Sequence, residues 1–283
     1  MIYLLLNIVL SASFIPAIRW VQRRHEDILT VGAVNYVVAG LFAGFLFFGG
    51  SNSSYGLASC LTGAVNGGAY FISYFLLLAY MSRKGAAMTA VIARLSVVLP
   101  IACGVMIWNE QPAFGQWLGI GLACVSMTII GRPHADLAQG HGSWPSPLVM
   151  LAFFIVAGSA RLAQAAFKYE ANPIEQPAYL LSGFGLAGAV SLVMMLARMK
   201  RPTLNELVIG TFVGMANVLQ TWFLLKALES YDGFVVFPVV SAGGLTFTTL
   251  LAVILLHERP TRMNYIGISI AICAVALLQG ASR

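Results

Sequence analysis

The segment from Tyr74 to Gly131 occurs twice in this chain. A shift of 148 residues lays it on Trp222–Gln279 without a gap. Phe75-Leu76-Leu77-x-Ala79-x-x-Ser82-x-x-Gly85 meets Phe223-Leu224-Leu225-x-Ala227-x-x-Ser230-x-x-Gly233. Glu110-x-Pro112 meets Glu258-x-Pro260, and Gly119-Ile120 meets Gly267-Ile268. Between Phe75 and Gly131, 13 of 57 positions are identical. Apolar sequences share Leu and Ala by chance, whereas Glu, Pro, Ser and Gly in one register require a common origin. The same shift pairs Ser11-Ala12 with Ser159-Ala160 and Ala39-Gly40 with Ala187-Gly188, so the repeat extends to both halves. The chain reads as two copies of one unit, 1–131 and 147–283, joined by a linker at 132–146 rich in Gly, Pro, His and Ser.

A chain that is 59% hydrophobic and 9% charged cannot cover itself with polar surface. Its solvent is therefore lipid, and nucleic acid is excluded as a partner although the net charge is +6. The basic residues fall in short clusters between apolar runs, where they orient a membrane protein. Cys60, Cys103, Cys124 and Cys273 lie inside apolar runs without metal-ligand spacing. His25, His134, His141 and His257 sit in or beside polar breaks, so no metal site and no cofactor is expected. The first apolar run lacks a preceding basic region and a cleavage site, and reads as a retained helix.

A spanning helix takes about 20 apolar residues. Ten runs qualify, at roughly 2–20, 30–49, 57–81, 86–108, 114–131, 147–168, 177–197, 205–228, 233–256 and 262–280. Turn chemistry separates them at 49–53, Ser82-Arg83-Lys84-Gly85, Asn109–Pro112, Asn172-Pro173 and Arg201-Pro202. The expected fold is all-α and integral to the membrane, with ten transmembrane helices in two five-helix repeats. Five is odd, so the second copy enters from the opposite face and the repeats are inverted. Loops on one side carry Arg23, Arg24, Arg83, Lys84, Arg132, Arg198, Lys200, Arg201, Arg259 and Arg262. The other side carries Lys168, Lys226 and Arg283. That bias predicts the first side cytoplasmic and both termini outside. Arg83-Lys84 in one copy is Tyr231-Asp232 in the other, as inversion demands.

Trp108-Asn109-Glu110-Gln111-Pro112 with Gly119-Ile120-Gly121, and Leu256-His257-Glu258-Arg259-Pro260 with Gly267-Ile268-Ser269, resemble the turn entering the last helix of each repeat in the drug/metabolite transporter superfamily, in its EamA-type ten-helix form. The resemblance implies a carrier for a small organic solute in a bacterial inner membrane. It also implies helices 1, 3, 4, 6, 8 and 9 around a central cavity, with helices 5 and 10 outside them.

Charged side chains deep in a bilayer are costly and mark function. Arg94 lies about three residues from the middle of the 86–108 run, about 4.5 Å of helical rise. Arg161 lies a similar distance past the middle of the sixth run. Their counterparts in the other copy are Ala242 and Ser13, so neither serves the shared architecture. No Asp or Glu occupies the middle of a run, which leaves a positive cavity suited to an anion or to a zwitterion's carboxylate. The alternative role for each Arg is to bind helix carbonyls and amides within the bundle. Asn66, Gln164, Asn217 and Gln220 lie within apolar runs, where amides either contact solute or join helices. Arg161 and Gln164, like Asn217 and Gln220, share a face at i and i+3. Tyr70, Tyr74 and Trp222 are candidate walls for a flat or cationic solute, or packing aromatics. Lys226 beside Glu229 reads as a rim ion pair. Gly63-x-x-x-Gly67-Gly68 and Gly243-Gly244 allow close helix contact, and Gly243-Gly244 beside Pro238 is a candidate hinge.

No phosphate-binding loop is present, and no His, Asp or Ser cluster supports an enzyme. The expected activity is secondary transport of a small anionic or zwitterionic metabolite, such as an amino acid or organic acid, by alternating access. The alternative is movement of amines, quaternary ammonium compounds or amphipathic drugs through an aromatic-lined cavity. The expected partners are the small-molecule substrate and the lipid bilayer, with the protein a monomer or homodimer.

Overall fold

Without water to satisfy the backbone, an apolar chain must hydrogen-bond within itself, and helices do this segment by segment. A computed structural model describes residues 1–24, 26–50, 54–130, 147–199, 201–256 and 262–280. Among these residues there are ten α-helices and no strand. They are α1 (Ile2–Arg23), α2 (Ile28–Phe48), α3 (Leu57–Leu95), α4 (Val98–Met106), α5 (Phe114–Ile130), α6 (Pro147–Glu170), α7 (Gln176–Ala197), α8 (Leu204–Ser230), α9 (Gly233–Leu256) and α10 (Arg262–Gly280). Six apolar segments are long enough to cross a bilayer: Ile28–Phe48, Leu57–Leu77, Leu148–Glu170, Pro173–Ala197, Leu204–Ser230 and Gly233–Leu251. The linker at 132–146, the four histidines, Lys200 and the Glu258-x-Pro260 turn lie outside the described residues.

Most breaks fall where turn residues predict them. Asn172 caps a short 3-10 turn at Pro173–Glu175, its side chain accepting from the Ile174 N–H at 3.0 Å. Asn109 adopts φ 53° between α4 and α5, a left-handed conformation that Asn tolerates. Asp27 caps α2 by accepting from the Leu29 N–H at 3.1 Å and the Thr30 hydroxyl at 2.8 Å.

One break is elsewhere. The expected turn at Ser82–Gly85 is absent: α3 runs through it to Leu95, and the chain is interrupted at Ser96-Val97 instead. The expected span at 86–108 is therefore divided between the end of α3 and the short α4. Gly85 stands alone among Arg, Lys, Ala and Met, all good helix formers. Pro100, by contrast, has no N–H for the Ser96 carbonyl four residues back and its ring crowds that carbonyl. The local bonds tighten there to a shorter spacing, with Val97 N–H donating to Arg94 O at 3.2 Å and Leu99 N–H to Ser96 O at 3.1 Å. The second copy breaks at Tyr231-Asp232, as expected, and α9 is continuous where the first copy is broken.

The helices form two compact units, and each takes segments from both sequence halves. Unit 1 comprises Met1–Gly68 and Ala163–Ser230; unit 2 comprises Ala69–Leu162 and Tyr231–Arg283. In unit 1, α2 packs on α7 and α8, and α1 packs on α8. Val21, Val31, Ile209 and Val213 form an apolar core there, covered by Phe14, Ala17 and Ile28. In unit 2, α5 packs on α10 and α9, and α4 packs on α9.

The strongest packing in each unit joins a helix to its own repeat counterpart. In unit 1, a Cβ built on Gly40 would lie 2.8 Å from the Phe184 carbonyl oxygen, and one on Gly188 would lie 2.7 Å from that of Tyr36. Residues 40 and 188, and likewise 36 and 184, are mates under the 148-residue shift, so the contact is reciprocal. Going up α2 from Tyr36 through Gly40 to Gly44, the partners descend α7 from Gly188 through Phe184 to Leu181. These two helices are antiparallel. In unit 2, a Cβ on Gly119 would meet the Leu278 side chain at 2.8 Å, and one on its mate Gly267 would meet Ile130, the mate of Leu278, at 2.5 Å. The same reasoning makes α5 and α10 antiparallel. Gly63 and Gly67 also serve close contact as expected, because a Cβ on either would overlap the Tyr179 or Gly183 backbone of α7.

Candidate functional site

In unit 2, Arg94 closes the last turn of α3, where a cation complements the helix dipole. It does not stand inside a fourth span, because the helix ends one residue later. Its guanidinium lies against α9 at Gly244: a Cβ there would sit 2.8 Å from Nη1 and 3.0 Å from Nη2. Arg161, from α6, donates from Nη1 to the Ser241 hydroxyl at 2.7 Å. Ser241 is fully buried, three residues before Gly244 and on the same face of α9. The two guanidinium charges are close enough to repel each other, and Tyr70 lies within electrostatic range of both. Both arginines are partly buried. Among the described residues, neither has an acidic partner in an ion pair.

Glu110 belongs to this unit but is occupied elsewhere. Its carboxylate accepts the N–H groups of Gly233 at 2.9 Å and Phe234 at 3.2 Å, at the start of α9. An anion at a helix N-terminus satisfies unpaired donors and opposes the dipole. The family-like glutamate therefore anchors the helix that carries Ser241 and Gly244. Tyr74 is buried and edge-on to Phe75, which is itself edge-on to Phe71 at 5.0 Å.

The amide candidates lie in unit 1. Asn66 and Gln164 are each 1% exposed. Asn217 and Gln220 belong to one line of hydrogen bonds. Gln220 Nε2 donates to Asn217 Oδ1 at 2.8 Å, Asn217 Nδ2 to Asn35 Oδ1 at 3.4 Å, and Asn7 Nδ2 to the Gln220 backbone carbonyl at 2.6 Å. Trp222 is partly buried in α8. Lys226 and Glu229 form the expected ion pair at 2.8 Å, and Gln176 Nε2 donates to the same carboxylate oxygen at 2.7 Å.

Three contributors are not among the sequence candidates: Asn7, Asn35 and Ser241. Asn7 and Asn35 carry the same signal as Asn66, an amide in an apolar run. Ser241 carries none, since small residues are ordinary in membrane helices, and Gly244 stands out in the sequence only as part of the candidate hinge. Glu206, in the first turn of α8, is 1% exposed. It accepts the Asp27 N–H at 2.9 Å and the Thr203 N–H at 2.8 Å. Glu26 accepts from the Thr203 hydroxyl and the Asn205 amide, and Arg198 pairs with Asp27 at 3.1 Å. These bonds tie the α1–α2 turn to the α7–α8 turn.

Helices of membrane length, close glycine contacts and ionisable groups in apolar helices define an integral membrane protein. Residues 1–132 and 143–279 match the EamA-like transporter family. The chain belongs to that family. A protein of Haemophilus influenzae (strain ATCC 51907 / DSM 11121 / KW20 / Rd), named only as uncharacterized, is 24% identical over 189 residues. That match covers 65% of this chain and 63% of the relative, so the chain spans less than two thirds of that protein's length. The crystal structure of a further protein, 14% identical, superposes with a TM-score of 0.76 over 100% of this chain and 96% of its own. At that identity the likeness is one of fold.

Proposed function

We propose that the protein is a secondary transporter for a small anionic or zwitterionic metabolite, received by Arg94 and Arg161. The observation that carries this reading is a pair of neighbouring guanidiniums without an acidic partner among the described residues. Two such cations repel each other, and burial raises the cost of leaving each unpaired. A carboxylate or phosphate relieves both penalties at once, through charge-assisted and bidentate hydrogen bonds. Ser241 holds one guanidinium by a hydrogen bond, and Gly244 leaves room for the other. The receptor is thereby shaped before the solute arrives, which lowers the ordering cost of binding.

The antiparallel pairings of α2 with α7 and α5 with α10 support an inverted repeat. On this reading ten helices cross a bacterial inner membrane, both termini lie outside, and the repeats exchange access between the two sides.

Thermal unfolding of the detergent-purified protein against amino acids, organic acids, sugar phosphates and quaternary amines tests the proposal. A carboxylate or phosphate should raise the unfolding midpoint, and Arg94→Ala or Arg161→Ala should abolish the rise. A response to amines alone, unchanged in both variants, rejects the arginine receptor.

A further inference from the structure

The amide line of unit 1 has a direction. The amide nitrogens of Asn7, Gln220 and Asn217 all donate within it, to the Gln220 carbonyl, Asn217 Oδ1 and Asn35 Oδ1 respectively. What remains at its α1 end is acceptor capacity. Asn7 is 3% exposed, and its Oδ1 is buried with no hydrogen-bond partner among the described residues. No described group donates to Gln220 Oε1 either. A buried carbonyl oxygen without a donor is costly, so an isolated orphan would be a defect. Here it adjoins a residue that presents a second unoccupied oxygen.

Two proton-free oxygens reject anions and accept a cation or a donor-rich group. The line contains no carboxylate, so its oxygens are neutral and suit a single positive charge better than a divalent ion. One turn away on the same helices, Tyr3 of α1 and Phe223 of α8 stack at 6.1 Å with an interplanar angle of 18°. Tyr3 precedes Asn7 by four residues and Phe223 follows Gln220 by three, so the rings share the face of the amides. Their π systems add attraction for a cation at this end.

We propose that Asn7 Oδ1 and Gln220 Oε1 form a binding site for a small monovalent cation, either an alkali-metal ion or a primary ammonium group. The site stands on unit 1 alone and does not depend on the arginine receptor. Bound sodium would make it a site for a coupling ion, and a bound ammonium would make it a site for a solute headgroup.

The test is thermal unfolding of the full chain, without added solute, in sodium, potassium or methylammonium chloride. Choline chloride replaces each salt to hold ionic strength constant. At least one small cation should give a saturable rise in midpoint over choline. An alkali response identifies an ion site, and a methylammonium response a headgroup site. Asn7→Leu should raise the half-saturating concentration at least about tenfold, the effect of about 1.4 kcal/mol of lost binding. Asn7→Asp, which keeps an oxygen and adds negative charge, should lower it. An amide that only joins helices predicts no such gain. Gln220→Met leaves the bond from Asn7 to the residue-220 backbone carbonyl in place and reads the same loss if Asn7→Leu does not fold. Equal midpoints in all four salts overturn the proposal, as does a saturable response that none of these variants moves.

Discussion

Gly244→Ala separates the arginine receptor from the fold that carries it. The new Cβ would start 2.8 Å from Arg94 Nη1, 3.0 Å from Nη2 and 3.2 Å from Cζ. Ordinary contact for such pairs begins near about 3.5–4.0 Å, so the guanidinium must retreat by roughly 1 Å. The obstructing atoms are the tip of a long side chain, which moves at low cost. Residue 244 lies inside α9, where replacing Gly by Ala favours the helix by about 0.5–1 kcal/mol. The unfolding midpoint without ligand should therefore hold or rise by a few degrees. Binding should respond oppositely. A displacement of that size breaks the geometry of a bidentate pair, and a loss of about 1.4–2.7 kcal/mol corresponds to roughly ten- to hundredfold weaker binding. Isothermal titration with the carboxylate or phosphate giving the largest stabilisation measures this directly. Wild-type affinity in a stably folded Gly244→Ala protein refutes the placement of Arg94 in the receptor.

Two further expectations concern the scaffold. Glu110→Ala removes both acceptors from the N-terminus of α9 and should destabilise the protein by about 1–3 kcal/mol, read as a lower midpoint in a thermal melt. Gly40→Ala and Gly188→Ala each press a methyl group onto a backbone carbonyl, where neither side can give way. Each should cost about 1–3 kcal/mol, and the two losses should agree because the contacts are mirror mates; a large inequality in denaturation midpoints would count against a reciprocal interface.

Much of this architecture was legible because the repeat gave each helix a double. Shifted by 148, α2 falls on 176–196 and α7 is Gln176–Ala197; α5 falls on 262–278 and α10 is Arg262–Gly280. The α3–α4 boundary was misread for a local reason. Ser82–Gly85 resembles its mate Ser230–Gly233, but Arg83 and Lys84 extend a helix where Tyr231 and Asp232 do not. Tyr231 carries a ring that restricts its rotamers in a helix, and Asp232 competes for backbone donors. Arg94 and Arg161 announced themselves as charges in apolar runs. Their partners did not: Ser241 gives no signal in the sequence, and Gly244 reads there as a hinge rather than as a seat for Arg94. Asn7 and Asn35 carry the same sequence signal as Asn66, an amide in an apolar run, but only the folded chain shows that they join Asn217 and Gln220.

The reciprocal glycine contacts also say something about how the chain came to hold two arginines. A surface that is complementary to its own copy is what two separate half-length chains would use to associate. In such an ancestral pair, every residue would be present twice. An Arg at position 94 would imply one at position 242, and one at 161 would imply one at 13. Four cations would then be present where the chain now has Arg94 and Arg161 with Ala242 and Ser13. Two halves within one chain need not copy each other. The glycines that seat the helices are matched, at 40 and 188 and at 119 and 267, while Arg94 and Arg161 each occur once.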